Sequence, residues 1–169
     1  MASRGSHIAV SLLFTVFGGP GIALVLVPYW LTSFHIPADE PAAQCALAVA
    51  LIVLGLIPGV ESVCRFVVVG RGTLIPVLPT ERLVVSGFYR FVRNPMYAGV
   101  LVSVAGEALL LRSRGMILFG ILLCVGFNLF IRLYEEPALQ RRYGEEYVHY
   151  RANVRRWLPR LTPYDSTVH

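Results

Sequence analysis

Four apolar stretches, residues 8–34, 42–69, 96–111 and 116–134, take up more than half of a 169-residue chain. Inside them only Glu61, Arg65, Glu107 and Arg132 carry charge. A soluble chain of this size buries roughly 70% of the surface its unfolded form exposes, which leaves too little interior for so much hydrocarbon. Hydrophobic residues make up 56% of the chain and charged residues 15%, against roughly 45–50% and 25% in soluble domains. The same balance excludes disorder, which needs low hydrophobicity and high charge. A spanning helix needs about 20 apolar residues. The pattern therefore predicts an all-α, polytopic membrane helix bundle: about four spans in one membrane-embedded domain covering residues 1–169. The shortest stretch, 96–111, is expected to borrow flanking residues or to tilt little. Pro20 and Pro28 predict kinks in the first stretch, since each removes a backbone donor. Arg4 ahead of that stretch raises a signal peptide as the competing view, but the apolar run is too long and no A-x-A site follows promptly.

All 15 basic residues are arginine, against 10 acidic residues, for a net charge of +5. They gather in the 70–95 loop and in the tail, 135–169, whereas the loop after the first stretch holds Asp39 and Glu40. The positive-inside rule then puts both termini, the 70–95 loop and a helical C-terminal segment in the cytoplasm. Arg112 and Arg114, in a tight hairpin between the third and fourth stretches, depart from that rule. No basic patch carries a nucleic-acid reading motif, so nucleic acid is not an expected partner. Cys45, Cys64 and Cys124 are scattered through apolar runs and read as small buried hydrophobes rather than a disulfide framework. No Cys/His spacing suggests a metal site. The absence of lysine and of a long targeting region favours a bacterial plasma membrane.

Ionisable groups at membrane depth are costly and mark function or a structural pair. Glu61 and Arg65 stand four apart and can pair on one helix face. Glu107 is expected to pair with Arg112 or Arg114 at the far side of the membrane. Asn94-Pro95 reads as the start of the third helix, because proline suits the first helical position and restricts the residue before it. The free N–H groups of that helix start can face a polar ligand or a plain interfacial cap. Farther on, Glu135 and Glu136 are followed by Pro137, which is expected to break or kink the fourth helix. Arg132 lies one turn before the two carboxylates, on their face. The trio can hold a zwitterionic ligand or form a surface ion cluster. Tyr143, Tyr147, Tyr150, Val154 and Trp157 recur at steps of 4, 3, 4 and 3. They predict a helical stripe, reset at Gly144, lying on the membrane surface or docked on the bundle.

Two blocks resemble the isoprenylcysteine carboxyl methyltransferase and phospholipid methyltransferase superfamily of small membrane enzymes. One runs Leu83-Val84-Val85-Ser86-Gly87-Phe88-Tyr89-Arg90-Phe91-Val92-Arg93-Asn94-Pro95-Met96-Tyr97-Ala98-Gly99. The other is Glu135-Glu136-Pro137-Ala138-Leu139, with Tyr143-Gly144-Glu145-Glu146-Tyr147, Tyr150 and the stretch from Val154 to Pro159. The resemblance implies S-adenosyl-L-methionine as cofactor, the bilayer as surroundings and an amphiphilic methyl acceptor. It implies a cofactor site lined by Leu83, Val84, Tyr89, Asn94, Pro95, Met96 and Tyr97, with Glu135 binding the cofactor. It places Arg132 against substrate. Asn94 stands where the family usually has histidine, so an acid/base role at that position does not carry over. A carboxylate acceptor needs no base, whereas an amine or thiol does, and Glu136 is the candidate. The expected activity is carboxyl O-methylation of the isoprenylcysteine type. The alternatives are N-methylation of a phospholipid amine and, from another class, a non-catalytic assembly factor or a small transporter. Residues Glu61 and Arg65 suggest the transporter, and the lack of an internal repeat weighs against it.

Overall fold

The computed structural model describes residues 19–68 and 83–165. Part of the expected first span, 8–18, and part of the expected cytoplasmic loop, 69–82 with Arg71 and Arg82, lie outside the described residues. The described residues form helices and connecting turns, with no strand among them. Helix α1 covers Ile22–Thr32, α2 Ala42–Val68, α3 Pro95–Leu110 and α4 Arg114–Phe130. Two short helices follow, α5 at Glu136–Tyr143 and α6 at Glu145–Asn153. A 3-10 turn, Gly87–Arg90, precedes α3.

Two helical stretches, Ala42–Ser62 and Arg114–Tyr143, are long and apolar enough to cross a membrane, and α1 and α3 are apolar but shorter. Only 11% of the most apolar part of each long stretch is buried within the protein, whereas a core helix of a soluble domain would be mostly covered. Leu47, Leu54, Leu118, Leu122 and Leu133 all project outward. That suits a hydrocarbon surrounding, where an exposed leucine costs nothing.

What holds the helices together is small residues. A side chain added at Gly55 of α2 would collide with Ser103 and the backbone of Gly99, one at Gly99 with the backbone of Gly55, and one at Gly106 with the backbone of Ala48. The two backbones touch along this seam, as in membrane helix pairs that depend on packing rather than on water exclusion. The Ser103 hydroxyl donates to the Ile52 carbonyl across it, at 3.1 Å. On its other side α3 packs Val100, Val104 and Ala108 against Met116 of α4 and Ala23 of α1. The α3–α4 turn is tight, as expected: Arg112 is left-handed at φ 43°, and the Ser113 hydroxyl caps α4 by accepting from the Met116 N–H at 3.3 Å.

Two expectations are corrected. Of the break or kink expected at Pro137, the break does not occur: the fourth helix stays helical from Arg114 to Tyr143, with a local π-helical distortion ahead of the proline. A π-helical turn, Ile131–Glu135, widens the backbone just ahead and leaves Pro137 in the first turn of α5, where its missing donor is not needed. Pro28 is accommodated in the same way, behind the π-helical turn Ile22–Leu26. Nor does Glu107 pair with the hairpin arginines: Arg112 reaches Asp39 at 3.4 Å and Glu40 at 3.3 Å in the preceding loop instead. The connection from α1 to α2 brings those two carboxylates over the turn, while Glu107 stays on the α3 body with Oε2 buried and without a hydrogen-bond partner among the described residues.

The tail folds back on the loop before α3. Gly144, at φ +55°, ends α5 and lets α6 turn away. Tyr147, Tyr150 and Val154 bury against Leu83, Val85, Leu139, Tyr143 and Tyr164. The expected stripe thus docks on the protein, and it leaves helical geometry at Val154. Beyond α6 the chain runs along residues 90–93: the Arg93 N–H donates to the Arg155 carbonyl, the Arg160 N–H to Phe91 and the Tyr164 N–H to Arg90, each at 2.9 Å.

Candidate functional site

The site brings together the last turns of α2, the start of α3 and the π-helical turn that follows α4. Gly87, at φ +59°, lets the loop lie directly on Glu61, whose carboxylate would meet any side chain there. Glu61 pairs with Arg65 at 2.7 Å, as the four-residue spacing predicts. Tyr89 is buried beside the Ser62 hydroxyl, with which it hydrogen-bonds. Its backbone carbonyl accepts from the Tyr150 hydroxyl at 2.7 Å. Burial raises the phenol pKa of Tyr89, Tyr147 and Tyr150, so all three stay neutral donors around neutrality.

Asn94 and Pro95 are both buried at the start of α3. The Asn94 side chain makes no cap bond to its own helix. Its amide donates instead to the Arg156 carbonyl at 3.3 Å, one more tie between loop and tail. Met96 is half-buried. One turn inside α3, the Tyr97 ring sits 4.7 Å from Phe127 of α4, and its hydroxyl hydrogen-bonds to the Glu135 carboxylate. The second carboxylate oxygen, Glu135 Oε2, is buried and has no hydrogen-bond partner among the described residues. The structure therefore brings Tyr89, Tyr97 and Glu135 together, with Asn94, Pro95 and Met96 beside them. Leu83 packs elsewhere, in the tyrosine cluster of the tail, and Val84 is buried next to it in sequence.

Glu136 has the opposite surroundings from its neighbour, because successive helical residues point about 100° apart. Arg93 donates to Glu136 Oε1 at 3.0 Å. Arg156 grips both oxygens with its Nε and Nη2, each at 2.9 Å. The side chains of Glu136, Arg93 and Arg156 are only 9%, 10% and 17% exposed, so this is a buried, fork-shaped pair of ion pairs. Arg93 also lies 3.4 Å from the Tyr147 hydroxyl, and Asn128 accepts from Arg156 and from the Trp157 indole. Arg93, Arg156 and Asn128 are not among the residues that sequence reasoning singled out. Arg93 and Arg156 stand inside the two blocks of the resemblance. Their partner, however, lies 43 and 20 residues away, and no spacing rule reaches across such separations.

Arg132 is exposed. It shares an open cleft of about 460 Å³ with Glu136, Pro137, Gln140, Arg141 and Arg151. On the other side of the site, Glu61, Arg65, Ser86, Gly87, Phe88, Arg90 and Phe91 line a cleft of about 440 Å³. Among the described residues no group of three His, Cys, Asp or Glu side chains is placed to hold a metal ion. What the arrangement offers is a buried carboxylate oxygen of Glu135, without a partner among the described residues, beside Tyr97 and Tyr89, and a second such oxygen on Glu61.

A family model described as phospholipid methyltransferase matches residues 43–146, more than half of the chain. Two phosphatidylethanolamine N-methyltransferases are similar to part of it. The one from Arthroderma benhamiae is 41% identical over 63 residues, 37% of this chain and 7% of that protein. The one from Uncinocarpus reesii is 40% identical over 65 residues, 38% of this chain and 7% of that protein. The similarity thus spans a small fraction of these relatives' length.

Proposed function

The chain belongs to the phospholipid methyltransferase family, and we propose that it is an integral membrane enzyme that N-methylates the amine headgroup of a phospholipid, using S-adenosyl-L-methionine. The observation that carries this proposal is the open Glu135 Oε2, buried beside Tyr97 and Tyr89. A buried, half-satisfied carboxylate is expensive to maintain unless a ligand completes it. The cofactor's amino-acid end carries an ammonium group that suits this oxygen. When bound, S-adenosyl-L-methionine supplies a methyl group on a sulfonium, already activated for transfer. Tyr97 would orient the Glu135 carboxylate, and Tyr89, Asn94, Pro95 and Met96 would wall the cofactor, with Leu83 and Val84 behind them. Arg132 would face the substrate from the adjoining cleft.

Amine methylation replaces the carboxyl O-methylation expected first, because the matching family and the similar proteins are described as phospholipid and amine methyltransferases. An amine attacks only as its free base. Glu136, the expected base, has both oxygens committed to guanidinium groups. We assign it instead to positioning: it locks the tail onto the start of α3 and so shapes the wall opposite Glu135. In this proposal α1 and α3, with flanking residues, complete a four-span bundle, and the arginine-rich end carrying the site faces the cytoplasm. The lysine-free composition is the support for a bacterial plasma membrane; the similar proteins named above are fungal.

The test is calorimetric binding of S-adenosylhomocysteine to the detergent-purified protein, followed by transfer of labelled methyl groups. Binding is expected to saturate in the wild type and to weaken by about tenfold or more in Glu135→Gln and Tyr97→Ala, the range for hydrogen bonds to a charged group. Label is expected in phosphatidylethanolamine. Label confined to a prenylated cysteine acceptor would overturn amine methylation, and undiminished binding in both variants would remove Glu135 and Tyr97 from the cofactor site.

A further inference from the structure

The cleft beside Glu136 holds three arginines that form no ion pair among the described residues. Arg132 sits on the π turn, Arg141 on α5 and Arg151 on α6, and all three line the same cleft with Gln140. Among the described residues, Arg65, Arg90, Arg93, Arg112 and Arg156 each pair with an acidic side chain. Arg132, Arg141 and Arg151 form no such pair there, although Glu136 is in the cleft wall. That carboxylate is taken by Arg93 and Arg156 from its other side, so it brings no spare negative charge.

Three unpaired guanidiniums converging on one concavity repel one another unless an anion joins them. Gly144, at φ +55°, turns the chain between α5 and α6, and Arg151 of α6 lines the same cleft as Arg141 of α5. A planar guanidinium matches the two free oxygens of a phosphodiester, which it can hold by paired hydrogen bonds. The same helix carries exposed Leu129 and Leu133 immediately before the cleft, with Leu133 75% exposed, where acyl chains have apolar surface to follow. Arg132 stands on the same π-helical turn as Glu135, which ties the cleft to the element that carries the candidate cofactor-binding carboxylate.

We propose that Arg132, Arg141 and Arg151 form a phosphodiester-binding cleft that seats the headgroup of a membrane phospholipid. The proposal rests on the lipid-methylation assignment for its meaning, but its test does not require turnover. Equilibrium binding is measured on the full chain in detergent with dihexanoylphosphatidylethanolamine, with dihexanoylglycerol, which lacks the phosphate, and with inorganic phosphate. The variants are Arg141→Gln, Arg151→Gln and, as a control, Arg142→Gln, which removes the same charge from the same helix outside the cleft. Arg141 and Arg151 are exposed, so the substitutions leave the core intact, and thermal melting checks this.

The expected result is a loss of about tenfold in phosphatidylethanolamine affinity for each cleft variant, the scale of one charge-assisted contact. Arg142→Gln and S-adenosylhomocysteine affinity are expected to stay unchanged, Arg141→Lys to restore part of the loss, and dihexanoylglycerol to bind more weakly than the phospholipid. Equal weakening in Arg142→Gln would mean general attraction between a basic surface and lipid, and would overturn the cleft. Inorganic phosphate binding as tightly as the phospholipid would assign the cleft to free phosphate instead. Unchanged affinity in both cleft variants would also overturn it. Loss of lipid binding in the cleft variants, from a wild type that neither binds S-adenosylhomocysteine nor transfers methyl groups, would uphold the cleft and refute the assigned activity.

Discussion

The two ends of the α3–α4 hairpin carry the same kinds of side chain and use them differently. At the closed end, Arg112 reaches Asp39 across the turn, with the arginine 51% and Asp39 81% exposed, and it also touches Glu40, whose side chain is only 3% exposed. At the open end, Arg93 and Arg156 enclose Glu136, and all three are nearly buried. The exposed Arg112–Asp39 pair exchanges one solvated state for another and contributes little. A buried one has left water behind, so each member depends on the others. The lesson lies in where the partners come from. The closed end is served by a neighbouring loop, whereas the open end is completed by the tail, which ties loop, helix and C-terminal segment together around Glu136.

Breaking that tie should have the largest effect. Glu136→Ala leaves two arginines buried without a counter-charge, and a loss of about 3–5 kcal/mol is expected, read as a fall in thermal midpoint in detergent. A loss no larger than that of Asp39→Asn would erase the difference between the two ends. Next comes Glu135→Gln, which separates site from scaffold. Its neighbour's ion pairs are untouched, so the melting midpoint should hold while S-adenosylhomocysteine affinity falls by about tenfold or more. A parallel loss of stability would show that Glu135 is structural.

Tyr150→Phe removes the hydroxyl that donates to the Tyr89 carbonyl, a bond worth about 1 kcal/mol. Burial holds the Tyr150 phenol above its ordinary value, so the folded state keeps the proton that the unfolded chain releases near pH 10. The stability this contributes is present below pH 10 and is lost as the pH rises above it. Melting curves from pH 8 to about 11 should therefore decline less steeply for Tyr150→Phe than for the wild type; parallel curves would place the phenol in water. The smallest effect belongs to Asp39→Asn, at under about 1 kcal/mol and weaker still in high salt.

Much of the scaffold is legible in the chain itself. The apolar runs mark α2, α3 and α4 to within a few residues, since hydrocarbon length sets helix length. Asn94-Pro95 marks the start of α3, and the Arg112-Ser113 turn its end. The Glu61–Arg65 pair follows from helical spacing alone. Pro137 misleads because a proline inside a helical pattern signals a break, and the π turn that absorbs it leaves no residue signature. Glu107 misleads because proximity along the chain suggested a partner that the α1–α2 loop supplied with other carboxylates.

Within the site the division is sharper. Glu135, Tyr97, Tyr89 and Asn94 stand in recognisable blocks, but their sequence positions say nothing of which polar groups meet. Glu135 and Glu136 are adjacent and chemically identical, yet one is saturated by two arginines and the other keeps an open oxygen. Sequence determined the membrane setting, the helices and the family, because these depend on composition, period and local spacing. Tertiary structure alone decided which carboxylate is locked and which is open, because that depends on a tail that returns across the bundle, and on burial, which turns a weak surface pairing into a strong constraint.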